Sequence, residues 1–284
     1  MRSEQEMYDL ILGFAKENPL IRAVYLNGSR ANPKAPRDKF QDFDIVYAVK
    51  EVAPFLKDKS WISRFGKMAV MQEPDDSVLF PSSNDPDQRY AFLMQFADGN
   101  RIDLTFLRVD LAPKACQEDS LTVILLDKDG ILPKIPDSSD RDYWVKKPCQ
   151  EEFWACCNEF WWVSPYAAKG LYRHETLYAL DCLNSYIRPM LLKMLCWQAG
   201  IAGDFQISAG KSGKYLDRYL PKETYESFLK TYPAAEEQAI WDALYETMNL
   251  FSKTARLVGE HFGFSYRTEE EEGVRNLLRL SAAG

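Results

Sequence analysis

Three aspartates and a Gly-Ser turn are the residues whose spacing carries chemistry. Asp42 and Asp44 stand two apart at the head of an apolar run, DFDIVYAV. Strand side chains alternate between faces, so these two carboxylates project on the same side. Like charges so close are unfavourable unless cations neutralise them. A hard divalent ion such as Mg²⁺ takes a few carboxylates together with phosphate oxygens. Gly28 and Ser29, followed by Arg30, close an earlier apolar run, IRAVYLNGSR. A tight turn with exposed N–H groups and a hydroxyl supplies the other half of a phosphate site. Asp103 lies in a third run, RIDLTFLRV, between Ile102 and Leu104. A lone carboxylate there is expensive to bury without a cation or a partner. If the three acids converge, they make a two-metal site for in-line phosphoryl or nucleotidyl transfer.

Positioning them requires strands. The runs Tyr90–Ala97 and Arg101–Val109 flank Asp98-Gly99-Asn100, which reads as a hairpin. Placed beside the strand from Asp42, that hairpin brings Asp103 to the pair. Residues 67–72 and 121–127 read as further strands, and residues 4–17 as a helix with Met7, Leu10, Ile11 and Phe14 on one face. Residues 73–89 read as a loop and the stretch after Val49 as short helices. Beyond the Pro133–Ser139 linker the pattern is helical to the end, with an apolar stripe of Ile240, Leu244, Met248, Phe251 and Leu257. The expectation is an α+β fold: a mixed sheet with flanking helices over 1–136, then an all-α domain over 137–284. The glutamates at 269–272 read as a solvated helix start, where the dipole favours acids.

Bulk properties narrow the function classes. The 46% hydrophobic content supports a real core, and the net charge of −7 disfavours nucleic-acid partners, which select a basic face. An acidic surface suits a cationic small molecule. No apolar stretch is long enough for a membrane span, and the acidic amphipathic N-terminus is not a signal peptide. Six cysteines without a C-x-x-C pair, beside two histidines, argue against zinc and for reduced core thiols in a cytoplasmic protein. His174 and His261 are isolated and read as surface or packing residues. No Ser-His-Asp or Cys-His arrangement supports covalent catalysis.

The ordered set of G-S-R, eleven residues, D-x-D-I and a later strand aspartate resembles the polymerase-β-like nucleotidyltransferase superfamily. Over nearly its whole length the chain is similar to the bacterial streptomycin (aminoglycoside 6-) adenylyltransferases, through VYLNGSRANPKAPRDKFQDFDIVY, MQEPDD and NRIDLTF. The resemblance implies AMP transfer from ATP, with two Mg²⁺ ions on Asp42, Asp44 and Asp103, to an aminoglycoside hydroxyl. It implies that Gly28, Ser29 and Arg30 grip the nucleotide in a cleft between the domains. Asp103 is then a metal ligand, a general base, or both. The 6-position of streptomycin as acceptor rests wholly on the resemblance, and a monomer and a homodimer are equally compatible with the sequence. Two other readings remain: a nucleotidyltransferase with another acceptor, and a non-catalytic toxin-neutralising module on the same fold.

The helical half carries further candidates. Lys169 and Arg173, four apart in one expected helix, form either a triphosphate grip or a solvated basic face; the resemblance favours a substrate or phosphate role for Lys169. Glu175 and Asp181 are, by the same resemblance, drug contacts, and otherwise surface acids. Gly210-Lys211-Ser212 is not a P-loop, since Phe205 stands where its first glycine belongs. Lys211 and Lys214, in a glycine-rich turn, are candidates for the β- and γ-phosphates, as lysines of this domain are in related enzymes. The aromatic group Trp154, Phe160, Trp161, Trp162 and Tyr166 reads as core, or as a wall for a sugar or adenine.

Overall fold

The structure is a computed structural model that describes the backbone of residues 1–282 and the side chains of 1–279. It divides into two compact units, Met1–Asp142 and Tyr143–Gly284. Residues 138–139, beyond the expected boundary at 136, are tied to the first unit. Ser138 Oγ donates to the Ala31 carbonyl at 2.7 Å, and the Ser139 amide donates to the Ser120 carbonyl at 2.9 Å.

The first unit opens with α1 (Glu4–Glu17), started by a capping box between Ser3 and Glu6. Its stripe of Met7, Ile11 and Phe14 is buried. Six strands follow: β1 (Ile21–Asn27), β2 (Phe43–Val49), β3 (Met68–Gln72), β4 (Arg89–Phe96), β5 (Arg101–Arg108) and β6 (Thr122–Asp127). Short helices α2 (Ala53–Lys57) and α3 (Ala112–Ala115) sit between them. The sheet order is β3-β4-β5-β2-β1-β6, and only the β5–β2 pair is parallel. This is a mixed sheet, as the family resemblance implies.

The two faces of that sheet differ. One is closed by α1 and by a box of aromatic rings, Phe14, Tyr47, Phe55, Trp61, Phe92 and Phe106. Trp61 packs edge-on against Phe92 and Phe106 at 5.1 Å each, and its Nε1 donates to the Phe55 carbonyl. Ring edges meeting ring faces add about 0.5–1.5 kcal/mol per pair beyond the area buried. The other face is covered only in part, where Ala23, Tyr25, Val46, Ala48 and Leu107 meet Ala112 and Cys116. By alternation, this second face also carries residues 44 and 103.

The second unit is helical: α4 (Gln150–Tyr172), α5 (Thr176–Asp181), α6 (Arg188–Ala202), α7 (Lys222–Lys230), α8 (Glu237–Phe262) and α9 (Thr268–Ala282). A π-helical turn, Cys182–Ile187, joins α5 to α6 just ahead of Pro189, which has no amide to donate. Phe160 of α4 stacks on Phe251 of α8 at 3.7 Å, and Trp161 meets both edge-on. Three expectations need correction here. Leu257 is 39% exposed, and Ala255 and Val258 hold the inner stripe of α8 in its place. Glu271 is buried rather than solvated, because Ser252, Tyr266, Arg256 and Arg275 all donate to its carboxylate. Cys149 is exposed and caps α4 with its sulfur; all six cysteines are free. Among the described residues, no helix is long and apolar enough to cross a membrane.

Candidate active site

β2 and β5 lie side by side in register, with Asp44 directly opposite Asp103. On the other side of β2, Asn27 of β1 stands opposite Asp44. One pleat earlier, Asp42 precedes β2 where Arg101 begins β5. The expected convergence of the hairpin on the Asp42–Asp44 strand is therefore present, and the acids share the partly open face.

The glycine turn is locked to the same place. Gly28 begins a 3-10 turn (Gly28–Arg30) with φ +74°, a left-handed conformation that L side chains rarely adopt. A Cβ built on Gly28 would stand 2.2 Å from Asp44 Oδ2. Glycine is required twice over, by the backbone and by the carboxylate against it. The Ser29 hydroxyl and the Asp44 carboxylate make no side-chain hydrogen bond within the described residues. In front of Asp44 opens a cavity of about 820 Å³ whose walls include Gly28, Asp44, Asp103, Tyr25, Arg89 and Lys114, while Ser29 and Asp42 lie outside that lining.

Electrostatics sets the acids apart. Burial, then the Asp103 and Asp42 carboxylates, push Asp44 up to about 6. Burial also raises Asp42, against the pull of Arg101. Arg101 grips Asp103 with a two-pronged contact, Nε to Oδ1 and Nη2 to Oδ2, both at 2.7 Å. Its Nε also stands 3.6 Å from Asp42 Oδ2. The bond to Asp103, and then the nearby carboxylates, raise the guanidinium further. Among the described residues, no three His, Cys, Asp or Glu side chains are gathered closely enough to hold an ion. The donor set nevertheless fits one. All three ligands are hard carboxylate oxygens, and Asp44 is mostly buried with no counter-charge of its own.

Arg30 has a different place from the one its sequence position suggests. It is 6% exposed, its guanidinium lies 3.7 Å over the Phe43 ring, and it is paired with Glu4 and donates to the Gln41 carbonyl. Its side chain braces the turn from below and lies outside the cavity lining.

The remaining candidates lie in the second unit. α4 ends at Tyr172, so Lys169, Arg173, His174 and Glu175 do not share one helix as the sequence suggests. His174 takes a left-handed φ of 57°, and the Glu175 amide donates back to the Gly170 carbonyl at 2.8 Å. Only a residue without a Cβ fits at 170, because Tyr178 and Ala179 pack there. Lys169 lines a groove of about 600 Å³ with Trp162, Tyr166, Glu269 and Glu270. The aromatic group is thus divided: Phe160 and Trp161 are core, while Trp162 is 64% exposed. Glu175 and Asp181 are both exposed, and Asp181 accepts from Ser185 Oγ at 2.7 Å. Lys211 lines another cavity, of about 680 Å³, with Lys146, Lys193 and Glu152, and Lys214 lies outside that lining.

Sequence reasoning missed Arg101, Tyr25, Arg89 and Lys146. Arg101 had a signal, since Arg-x-Asp in a strand puts both side chains on one face. The others had none short of the fold.

Comparison with known proteins agrees with this geometry. The family model described as streptomycin adenylyltransferase matches residues 1–280. An aminoglycoside 6-adenylyltransferase of Bacillus subtilis (strain 168) is 40% identical over 275 residues, covering 96% of each chain. One from Campylobacter jejuni is 39% identical, over 98% of this chain and 96% of the relative. One from Staphylococcus aureus is 36% identical over 98% of both. With an acid pair in register, a glycine turn against it and a match along nearly all of its length, this chain belongs to the streptomycin adenylyltransferase family.

Proposed function

We propose that the chain transfers the adenylyl group of ATP to a hydroxyl of an aminoglycoside, first the 6-position of streptomycin, and releases pyrophosphate, so conferring resistance in the cytoplasm. The observation that carries this reading is Asp44 facing Asp103 across parallel strands while resting on Gly28 at an open cavity. Asp42, Asp44 and Asp103 are the residues that would hold Mg²⁺, two ions in this reading. An ion held there would neutralise charge on the triphosphate and favour ionisation of the incoming hydroxyl.

The chain's own residues do the rest. Gly28 and Ser29 hold the β- and γ-phosphates through amide hydrogens and the hydroxyl. Asp103 accepts the proton of the attacking hydroxyl, or yields that role and serves as ligand only. Lys169, Lys211 and Lys214 are the candidates to grip the triphosphate from the helical unit, and Glu175 and Asp181 to hold the drug's cationic groups. Arg30 serves the site by bracing the turn. The protein acts as a monomer or a homodimer.

The test is incubation with ATP, Mg²⁺ and a panel of aminoglycosides, following pyrophosphate and adduct mass. Pyrophosphate and a mass gain of one AMP with streptomycin are expected, and Asp44→Asn should reduce the rate about a thousandfold or more with the fold intact. A failure to release pyrophosphate with every aminoglycoside in the panel overturns the reading.

A further inference from the structure

Arg101 is a cation already seated among the acids that the reading above assigns to metal. Its guanidinium takes both oxygens of Asp103 at 2.7 Å and approaches Asp42 to 3.6 Å. Each Asp103 oxygen thus has one lone pair engaged, and the guanidinium charge opposes a second cation at those that remain. Asp44, two residues beyond Asp42 along its strand and opposite Asp103, makes no such contact among the described residues. We propose that Arg101 is a positioning residue that makes divalent-metal binding conditional on nucleotide, by holding Asp103 and Asp42 until a triphosphate offers its guanidinium a replacement anion.

The inference rests on the acid assignment made under the proposed function, and the argument is one of charge balance. A bare divalent ion arriving at the acids either binds against the guanidinium charge or displaces Arg101, which then lacks a counter-ion beside the cation that displaced it. An ion arriving with a triphosphate brings oxygens to which a planar guanidinium pairs in the same two-pronged way. The side chains are partly exposed, 38% for Arg101 and 21% for Asp103, so the pair can part without breaking a core. The exchange forms and breaks no covalent bond. Its consequence is reciprocal: if nucleotide strengthens metal binding through Arg101, metal strengthens nucleotide binding by the same factor. A site so arranged stays free of stray divalent ions between turnovers, while Arg101 keeps the acids from repelling one another.

The experiment measures Mn²⁺ affinity of the full chain by calorimetry or electron spin resonance, with and without the unreactive α,β-methylene analogue of ATP. In the unaltered protein Mn²⁺ should bind weakly alone and much more tightly with the analogue. Arg101→Gln should bind Mn²⁺ alone about tenfold tighter or more, and the gain from nucleotide should shrink by the same factor. Arg101→Lys, which keeps the charge but not the fork, should fall between, and it carries the comparison if the Gln variant loses its native circular dichroism. A merely structural Arg101 would leave both variants with equal or weaker Mn²⁺ affinity, which overturns the inference alone. If the unaltered protein binds no Mn²⁺ even with the analogue, the acid assignment falls and the inference with it.

Discussion

At the scale of single residues, Asp44 is the most consequential. It is partly buried and faces another carboxylate, so its proton is held up to about 6 against an ordinary 3.8. The folded state therefore binds a proton that the unfolded chain has already released. A carboxylate raised in this way stabilises the fold relatively at low pH, and that advantage is lost as pH rises from about 4 through about 6. In chelator, urea unfolding should show stability declining across that window by on the order of 2 kcal/mol more in the unaltered protein than in Asp44→Asn. Equal declines would show that the carboxylate is not strained. The acids and the glycine turn were legible in the sequence because strand parity and a single glycine are local properties. Arg30 was not: its burial depends on the Phe43 ring and on Glu4, which only the fold brings together.

At the scale of elements, the strands were readable wherever one face is apolar, and the hairpin turn of residues 98–100 was readable from its residue types. That turn is further tied down by Arg2, whose amide and guanidinium both donate to Asp98. The parallel pairing of β2 with β5 had no local signature, since it is set by two segments separated by β3 and β4. The break after α4 was hidden for another reason. Leu-Tyr-Arg-His contains no proline or glycine, and the chain turns at a left-handed histidine that ordinary propensity disfavours. The α4–α8 contact makes a direct prediction. Phe251 is fully buried and stacked on Phe160, so Phe251→Ala should lower stability by about 3–5 kcal/mol, read from the urea midpoint of the helical signal. A loss below about 1 kcal/mol would mean that the stack is not part of a tightly packed core.

At the scale of the whole molecule, two units each carry their own apolar core, and the chain bears a net charge of −7. An acidic protein acting on a polycation gains from long-range attraction that salt screens. Raising ionic strength from about 0.05 to about 0.5 M should raise the streptomycin KM several-fold and leave kcat nearly unchanged. A KM insensitive to salt would assign drug binding to contacts too enclosed for screening. The overall α+β division was legible from the change in periodicity beyond residue 136. The exposed positions of Glu175 and Asp181 match the surface alternative of the sequence reading, whereas the π-helical turn after α5 had no signal in the sequence.

The two-sided sheet also bears on how the gene can fail. Phe43, Ile45 and Tyr47 point into the aromatic box, and Asp44, their neighbour in the same strand, points away from it. Lesions at the odd-numbered codons should deplete the cell of protein, whereas a lesion at codon 44 should leave a full, even sturdier, pool of inert copies. A survey of inactivating alleles sorted by protein abundance would then set codon 44 apart from its buried neighbours on either side.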